Sequence, residues 1–223
     1  MTDSPQLAGP SACLVSLVVA TARDVAGHAE LLNRLDGLAG DGDLGITASH
    51  AADALESVAV AAAAMQPGAA LRRLGRALAS EAPSTGGTLI AFAFMAAGGA
   101  DLPDADVGAR AIAALEAARD AIAQRGDVAV GDRTMLDALS PAADAFHIAL
   151  SEGASIPEGA TAAAAAEAGA QATTGMEPKV GRAGWLKARA RGNEDPGARL
   201  VALAFAAAAA RVQSPSGSCP CPE

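Results

Sequence analysis

Residues 30–47 place a glycine-rich acidic turn between two helical segments, and this turn constrains the fold more than any other stretch of the chain. Before it, leucines recur at helical spacing up to Leu38, and after it a new helix is predicted from Leu44. Glycines in the turn free the backbone for a tight reversal. Three aspartates lie within eight positions: Asp36, Asp41 and Asp43. We therefore expect three carboxylates to converge between two helix ends.

Such a group of carboxylates calls for a cation. Oxygen ligands alone favour Mg²⁺, which is held by a few carboxylates and completes its shell with water and phosphate oxygens. Asp43 precedes the second helix and can act as its N-cap. The N–H groups at the start of that helix would face the same point and attract an anion. The stretch therefore predicts a phosphate bridged by metal to carboxylates, with a plain acidic turn as the alternative.

Other glycine-rich motifs fit this turn poorly. Gly40, Gly42 and Gly45 match G-x-G-x-x-G, but the dinucleotide-binding fingerprint follows a strand, whereas the segment before this turn is helical. An EF-hand loop beginning at Asp41 would need Asp or Asn where Gly45 stands. A Walker A motif does not occur in the sequence.

Composition favours an all-α protein. The 223 residues include four Phe, one Trp and no Tyr, and long runs of Ala with Leu, Glu and Arg are typical of helices. The hydrophobic pattern predicts helices over 11–38, 44–65, 69–81, 89–97, 104–124, 134–151, 158–174 and 196–212. Pro141 is tolerable early in its helix, and Pro196 fits the first turn of the last one. About eight helices with short connections predict an up-and-down antiparallel bundle or closed barrel.

The predicted organisation is one helical domain over residues 11–212, preceded by a flexible arm at 1–10 and followed by a disordered tail at 213–223. In an antiparallel arrangement, alternate connections lie at the same end. Four loops with glycine and small polar or acidic residues alternate in this way: 39–45, 84–88, 126–134 and 192–197. If they form one rim, it gathers the three carboxylates, several helix N-termini and one cation, Arg182.

Charge and hydropathy exclude other partner classes. A net charge of −9 disfavours nucleic acid, whose phosphates such a surface repels. No basic residue precedes the apolar segment 12–22, as a secretory signal would require, and no apolar run approaches the roughly 20 residues that span a bilayer. We expect a cytoplasmic protein without a nucleic-acid or membrane partner. The sequence leaves the oligomeric state open, a homodimer included.

Four segments together resemble the nucleotide-binding domain of dihydroxyacetone kinases, the DhaL-type or L subunit. They read LDGLAGDGDLG at 35–45, GDRTMLDAL at 131–139, GRAGWL at 181–186 and DPGA at 195–198. The resemblance covers roughly residues 15–210. It implies an eight-helix barrel whose rim holds two Mg²⁺ ions on three aspartates, with ADP or ATP attached to the metals.

The resemblance also implies roles for single residues. The metal ligands would be Asp36, Asp41 and Asp43. Helix N-terminal amides and a Thr hydroxyl would contact the phosphates at Leu44, Gly45, Ile46 and Thr47. The second phosphate loop would be Thr85 and Gly86, and the adenine would lie between Gly126 and Met135. Arg182 would neutralise phosphate charge. The segment that covers the bound nucleotide would be Asp195, Pro196 and Gly197. The family commonly has His where Leu44 stands, Asn where Thr47 stands, and Gly-Gly before a Ser in the second loop.

The activity implied is phosphoryl transfer to a short ketose, for which this chain lacks a base. His28, His50 and His147 lie in helical segments away from the loops. In the family, a separate K-type subunit holds the triose covalently on a histidine and supplies the acid and base groups, so we predict a two-component enzyme. Family members use ATP, or keep ADP bound and are rephosphorylated by a phosphotransferase-system phosphocarrier. A four-carbon ketose as acceptor and a non-catalytic, nucleotide-binding regulatory module are the remaining alternatives.

Overall fold

The computed structural model describes residues 7–82, 84–100, 106–155, 162–180 and 190–213. This part of the chain contains nine α-helices, one 3₁₀ turn and no strand. The helices are α1 (Ala12–Ala26), α2 (Ala29–Ala39), α3 (Leu44–Ala63), α4 (Pro67–Glu81), α5 (Thr85–Gly99), α6 (Val107–Gly126), α7 (Leu136–Ser151), α8 (Ala162–Ala172) and α9 (Pro196–Val212), and the 3₁₀ turn is Thr173–Gly175. The predicted all-α class is confirmed.

The helices form a closed antiparallel ring. From α3 onwards each helix packs against the next in the chain, and α9 returns to α1 and α2. Arg211, near the end of α9, forms an ion pair with Asp24 of α1 and closes the ring. Because α1 and α2 both pack on α3, together they occupy one position in the wall of the barrel, like a single bent helix. The nine helices therefore make the eight-membered barrel that the sequence predicted.

The prediction of one continuous helix over residues 11–38 is wrong. The chain bends by 63° between α1 and α2, at Gly27 and His28. The N–H of His28 bonds the carbonyl of Val25, three residues back, at 3.0 Å, and this tight turn ends α1. No single described helix combines the length and apolar composition needed to cross a membrane, and α1 and α2 meet those limits only as a bent pair.

Other helix boundaries differ from the prediction by smaller amounts, among them the starts of α5 and α7. Helix α5 begins at Thr85 rather than at residue 89, because the side chain of Ser84 accepts a hydrogen bond from the N–H of Gly87 at 3.0 Å and caps the helix. Helix α7 begins at Leu136 rather than at residue 134. Pro141 lies inside α7, as predicted.

Small residues let the walls of the barrel approach closely. Most of its buried hydrophobic residues are alanines, and the largest fully buried side chains include Leu32 and Leu74. A methyl group on Gly45 would lie 2.6 Å from the carbonyl carbon of Ala29, so the start of α3 is pressed directly against the backbone of α2. This contact determines where the acidic turn between α2 and α3 lies.

Candidate functional site

The three aspartates of the acidic turn lie together. One carboxylate oxygen from each lies within 4.8 Å of the others, with Asp36 half-buried and Asp41 and Asp43 exposed. Oδ2 of Asp36 accepts hydrogen bonds from the N–H groups of Gly42, at 2.9 Å, and Asp43, at 3.0 Å. Gly42 has a φ of 80°, which a residue with a side chain rarely adopts. The turn therefore wraps around Asp36 and aims the carboxylates at one point.

The side chain of Asp43 does not cap α3, contrary to prediction. Asp43 occupies the N-cap position without a side-chain capping bond. Instead, Oδ1 of Asn33 on α2 accepts the N–H of Gly45 at 2.6 Å. Since a residue of the neighbouring helix satisfies that donor, the carboxylate of Asp43 is left to the acidic cluster. Helix α3 still presents the N–H groups of Leu44 and Ile46, which precede its first helical hydrogen bond, to the same region.

The start of α5 lies beside the start of α3. Thr85 is exposed and Gly86 half-buried in the first turn of α5. A methyl group on Gly86 would lie 3.8 Å from Cδ1 of Leu44, which links the first two predicted loops. Two helix N-termini, each with donors that no helical carbonyl can reach, therefore adjoin the carboxylate cluster.

The connection between α6 and α7 is held by a buried carboxylate. Asp137 accepts the N–H of Gly131 at 2.5 Å through Oδ1 and that of Thr134 at 2.7 Å through Oδ2. At the other end of the connection, a methyl group on Gly126 would lie 3.6 Å from Cδ1 of Leu89 on α5. This connection therefore adjoins the N-terminal part of α5, at the same end of the barrel.

The start of α9 is buried against the α6–α7 connection. Asp195 is 8% exposed and caps α9, because its Oδ1 accepts the N–H of Ala198 at 2.8 Å. Burial raises the pKa of Asp195 to about 6, opposed by that hydrogen bond and by the charge of Arg133. A methyl group on Gly197 would lie 3.3 Å from Cβ of Met135. These contacts link the third and fourth predicted loops.

Most of this chain matches the model of a known protein family. Residues 38–210 match the DAK2 domain. This chain belongs to the DAK2 domain family. The D-erythrulose kinase of Mycolicibacterium smegmatis is 37% identical over 193 residues, which are 82% of this chain and 32% of that protein. The triokinase/FMN cyclase of Mus musculus is 36% identical over 188 residues, 81% of this chain and 32% of that protein. The chain spans about a third of the length of the curated relatives it matches.

Solved structures resemble this DAK2 domain closely. The native dihydroxyacetone kinase of C. freundii matches with a TM-score of 0.71 and 28% identity, over 94% of this chain and 36% of that one. Its complex with AMP-PNP and Mg²⁺ matches with a TM-score of 0.69 and 27% identity, over 94% of this chain and 36% of that one. The predicted relation to the DhaL-type domain of dihydroxyacetone kinases is confirmed, and the named relatives are kinases of short sugars.

The predicted site residues of the DAK2 domain fall into three groups. The carboxylate cluster and the starts of α3 and α5 lie together, and Met135 lies against Gly197. The carboxylate of Asp195 is buried and accepts the N–H of Ala198 in α9, and the predicted role of Asp195 in closing over a nucleotide stays a prediction. Arg182 lies outside the described residues.

The sequence interpretation gave no role to three residues of this rim. Asn33 caps α3 from the neighbouring helix, Asp137 holds the α6–α7 connection, and Arg133 is a buried arginine. Arg133 and Asp137 lie within the motif at 131–139, for which the resemblance implies a role only at Met135. The capping bond from Gly45 to Asn33 could have been suspected from the sequence, because Asn33 is a polar residue among the leucines of α2.

Proposed function

We propose that this DAK2 domain is the nucleotide-binding component of a kinase for three- or four-carbon ketoses, with Mg²⁺ held by Asp36, Asp41 and Asp43. The observation that carries the proposal is the approach of three carboxylates to within 4.8 Å of one another beside two helix N-termini. Carboxylates repel one another at such distances. Their position at the mouth of the barrel favours a divalent cation over a purely structural role.

The donor set fits magnesium. It offers oxygens only, and two of the three carboxylates are exposed, as suits an ion that keeps water and phosphate oxygens in its shell. When bound, Mg²⁺ supplies neutralisation of the charge on the phosphates. We propose ADP or ATP as the nucleotide, which the AMP-PNP and Mg²⁺ complex of the C. freundii kinase supports. The expectation of two ions stays a prediction.

The backbone of this chain supplies the phosphate contacts. Leu44 replaces the histidine common in the family, so one side-chain donor fewer faces the phosphates, while Thr47 replaces the asparagine with a hydroxyl donor. The N–H groups of Leu44 and Ile46 at the start of α3, and those of Thr85 and Gly86 at the start of α5, are not needed by their own helices. We propose that these four amides hold the phosphates in place while the carboxylates hold the metal.

The acceptor is proposed to bind elsewhere, on a K-type domain. His28, His50 and His147 are all exposed, and His147 pairs with Glu116 between α6 and α7, where the Nδ1 to Oε1 distance is 2.9 Å. His147 therefore lies on the wall formed by α6 and α7, whereas the carboxylates lie at the turn between α2 and α3. A base for the acceptor hydroxyl is therefore expected from the K-type domain, and the match of this chain to only about a third of its relatives' length supports this division.

The first test measures metal-dependent nucleotide binding by titration calorimetry. Asp41→Asn is expected to weaken binding of ADP in the presence of Mg²⁺ by about thirtyfold or more, the effect of losing about 2 kcal/mol when one partner of a charged contact is removed. The matched control is Asp53→Asn, which removes the same charge from an exposed position on α3 that pairs with Arg23. Unchanged binding by Asp41→Asn would refute the metal site.

The second test measures phosphoryl transfer. The chain is combined with a K-type protein, dihydroxyacetone or erythrulose, and either ATP or a phosphorylated phosphocarrier. Sugar phosphate formed only when this chain is present supports the kinase, and the productive donor identifies its mode. Nucleotide binding without transfer in every mixture would instead favour the non-catalytic regulatory module.

A further inference from the structure

Arg133 is buried, with 2% of its surface exposed, and its backbone has a φ of 65°. Residues with a Cβ rarely adopt this left-handed conformation. A charged side chain is rarely buried unless other groups compensate its charge and most of its N–H groups. The burial of the side chain and the left-handed backbone together indicate a structural role for the guanidinium of Arg133.

The guanidinium of Arg133 ties together both ends of the connection between α8 and α9. Nε donates to the carbonyl of Thr173 at 3.1 Å, and Nη2 donates to the carbonyls of Ala190 and Asn193, each at 2.7 Å. The hydroxyl oxygen of Thr173 in turn accepts the N–H of Asp195 at 2.8 Å. The tie therefore extends from the α6–α7 connection to the N-cap of α9.

Two residues of the rim, Met135 and Gly197, lie close in the chain to the two segments that Arg133 joins. Met135 follows Arg133 by two positions, in a connection that Asp137 holds at Gly131 and Thr134. Gly197 follows the N-cap of α9 and packs against Met135, where a methyl group on the glycine would lie 3.3 Å from the methionine Cβ. The hydrogen bonds of Arg133 therefore help to set the distance between Met135 and the start of α9.

We infer that Arg133 is a positioning residue that holds Asp195, Pro196 and Gly197 against Met135 and so shapes the base-binding side of the nucleotide site. The inference rests on the proposed function and on the position of the adenine beside Met135 that the family resemblance implies. In this inference Arg133 affects binding of the base, whereas the carboxylate cluster acts on the phosphates. Lysine keeps the charge but lacks the planar fork that reaches three carbonyls at once.

The test compares two ligands that share phosphates and differ in the base. Binding of ADP and of pyrophosphate, each with Mg²⁺, is measured by calorimetry for wild type, Arg133→Lys and Arg133→Met. Arg133→Lys is expected to weaken ADP binding about tenfold, the effect of losing one charged hydrogen bond, and to leave pyrophosphate binding unchanged. The matched control is Arg191→Lys in the same connection, where the guanidinium is exposed and pairs with Glu177 at 3.2 Å. Both affinities are expected to be unchanged in this control.

Each outcome decides a different point. If wild type binds neither ligand, the proposed function fails. If wild type binds both, and Arg133→Lys either matches it or loses both affinities in parallel, only the role of Arg133 is refuted. Hydrogen exchange provides a readout without nucleotide: the amides of Asp195 and Ala198 are expected to exchange faster in Arg133→Lys, and unchanged exchange would overturn the tie itself. If Arg133→Met does not fold, Arg133→Lys carries the test.

Discussion

The buried carboxylate of Asp195 makes a specific prediction about stability and pH. Burial raises its pKa from the ordinary value of 3.8 to about 6, so between these values the folded chain binds a proton that the unfolded chain has released. The contribution of Asp195 to stability is therefore fully present below the unfolded pKa and is lost as pH rises through the folded pKa. The difference between these two pKa values corresponds to about 3 kcal/mol of stability in total.

The assay is urea unfolding of wild type and Asp195→Asn across a pH series. Asparagine also caps helices, and any constant difference between the two proteins cancels when only the change with pH is compared. The free energy of unfolding of wild type, relative to Asp195→Asn, is expected to fall by about 2 kcal/mol between about pH 4.5 and about pH 7.5. Two-state unfolding at each pH is checked by following two spectroscopic signals.

A matched control separates burial from capping. Asp106 caps α6 with the same bond, accepting the N–H of Ala109 at 2.8 Å, but its carboxylate is exposed. The free energy of unfolding of Asp106→Asn is therefore expected to differ from that of wild type by a constant amount across the same pH range. A difference between wild type and Asp195→Asn that stays constant, or that grows in favour of wild type as pH rises, would refute the reasoning.

Three further predictions concern helix packing and capping, and each is measured by urea unfolding. Gly45→Ala is expected to lower the free energy of unfolding by about 3 kcal/mol, because the obstacle is the backbone of Ala29, and also to weaken nucleotide binding. Gly99→Ala, with nothing within 4 Å of the new methyl, should instead add up to about 1 kcal/mol, and equal effects at the two glycines would contradict the close contact. Ser84→Ala removes the cap of α5 and should cost about 1 kcal/mol; no loss would show that the cap is dispensable. Leu74→Ala, at a fully buried position, should cost about 2–5 kcal/mol without changing nucleotide affinity, and a changed affinity would couple this core to the site.

The barrel could be predicted because its signals are local. Alanine and leucine at helical spacing identify helices, and glycine and proline mark most of their ends. The break between α1 and α2 escaped prediction because glycine inside a helical pattern costs only about 1 kcal/mol. Whether Gly27 continues or ends a helix is decided by packing on α3, which the pattern does not contain.

The contrast between local signals and long-range packing also separates the parts of the site that could be predicted from those that could not. Asp36, Asp41 and Asp43 lie within eight positions, so a tight turn alone brings them together. Arg133 and its partner Asn193 are 60 residues apart, and both residue types are ordinarily exposed. Nothing in the local pattern indicates that this arginine is buried, so only the folded chain reveals the tie.

The aspartates at this end of the barrel form two groups with different roles, and burial explains the difference. Asp195 and Asp137 lie under the surface with backbone N–H groups as partners, so their carboxylates are used in holding loops. The carboxylates of Asp41 and Asp43 are exposed beside that of Asp36, where mutual repulsion favours an added cation. Residue type and glycine-rich context are alike in the two groups. Substitutions in the exposed group should therefore alter metal binding before stability, and those in the buried group should alter stability first.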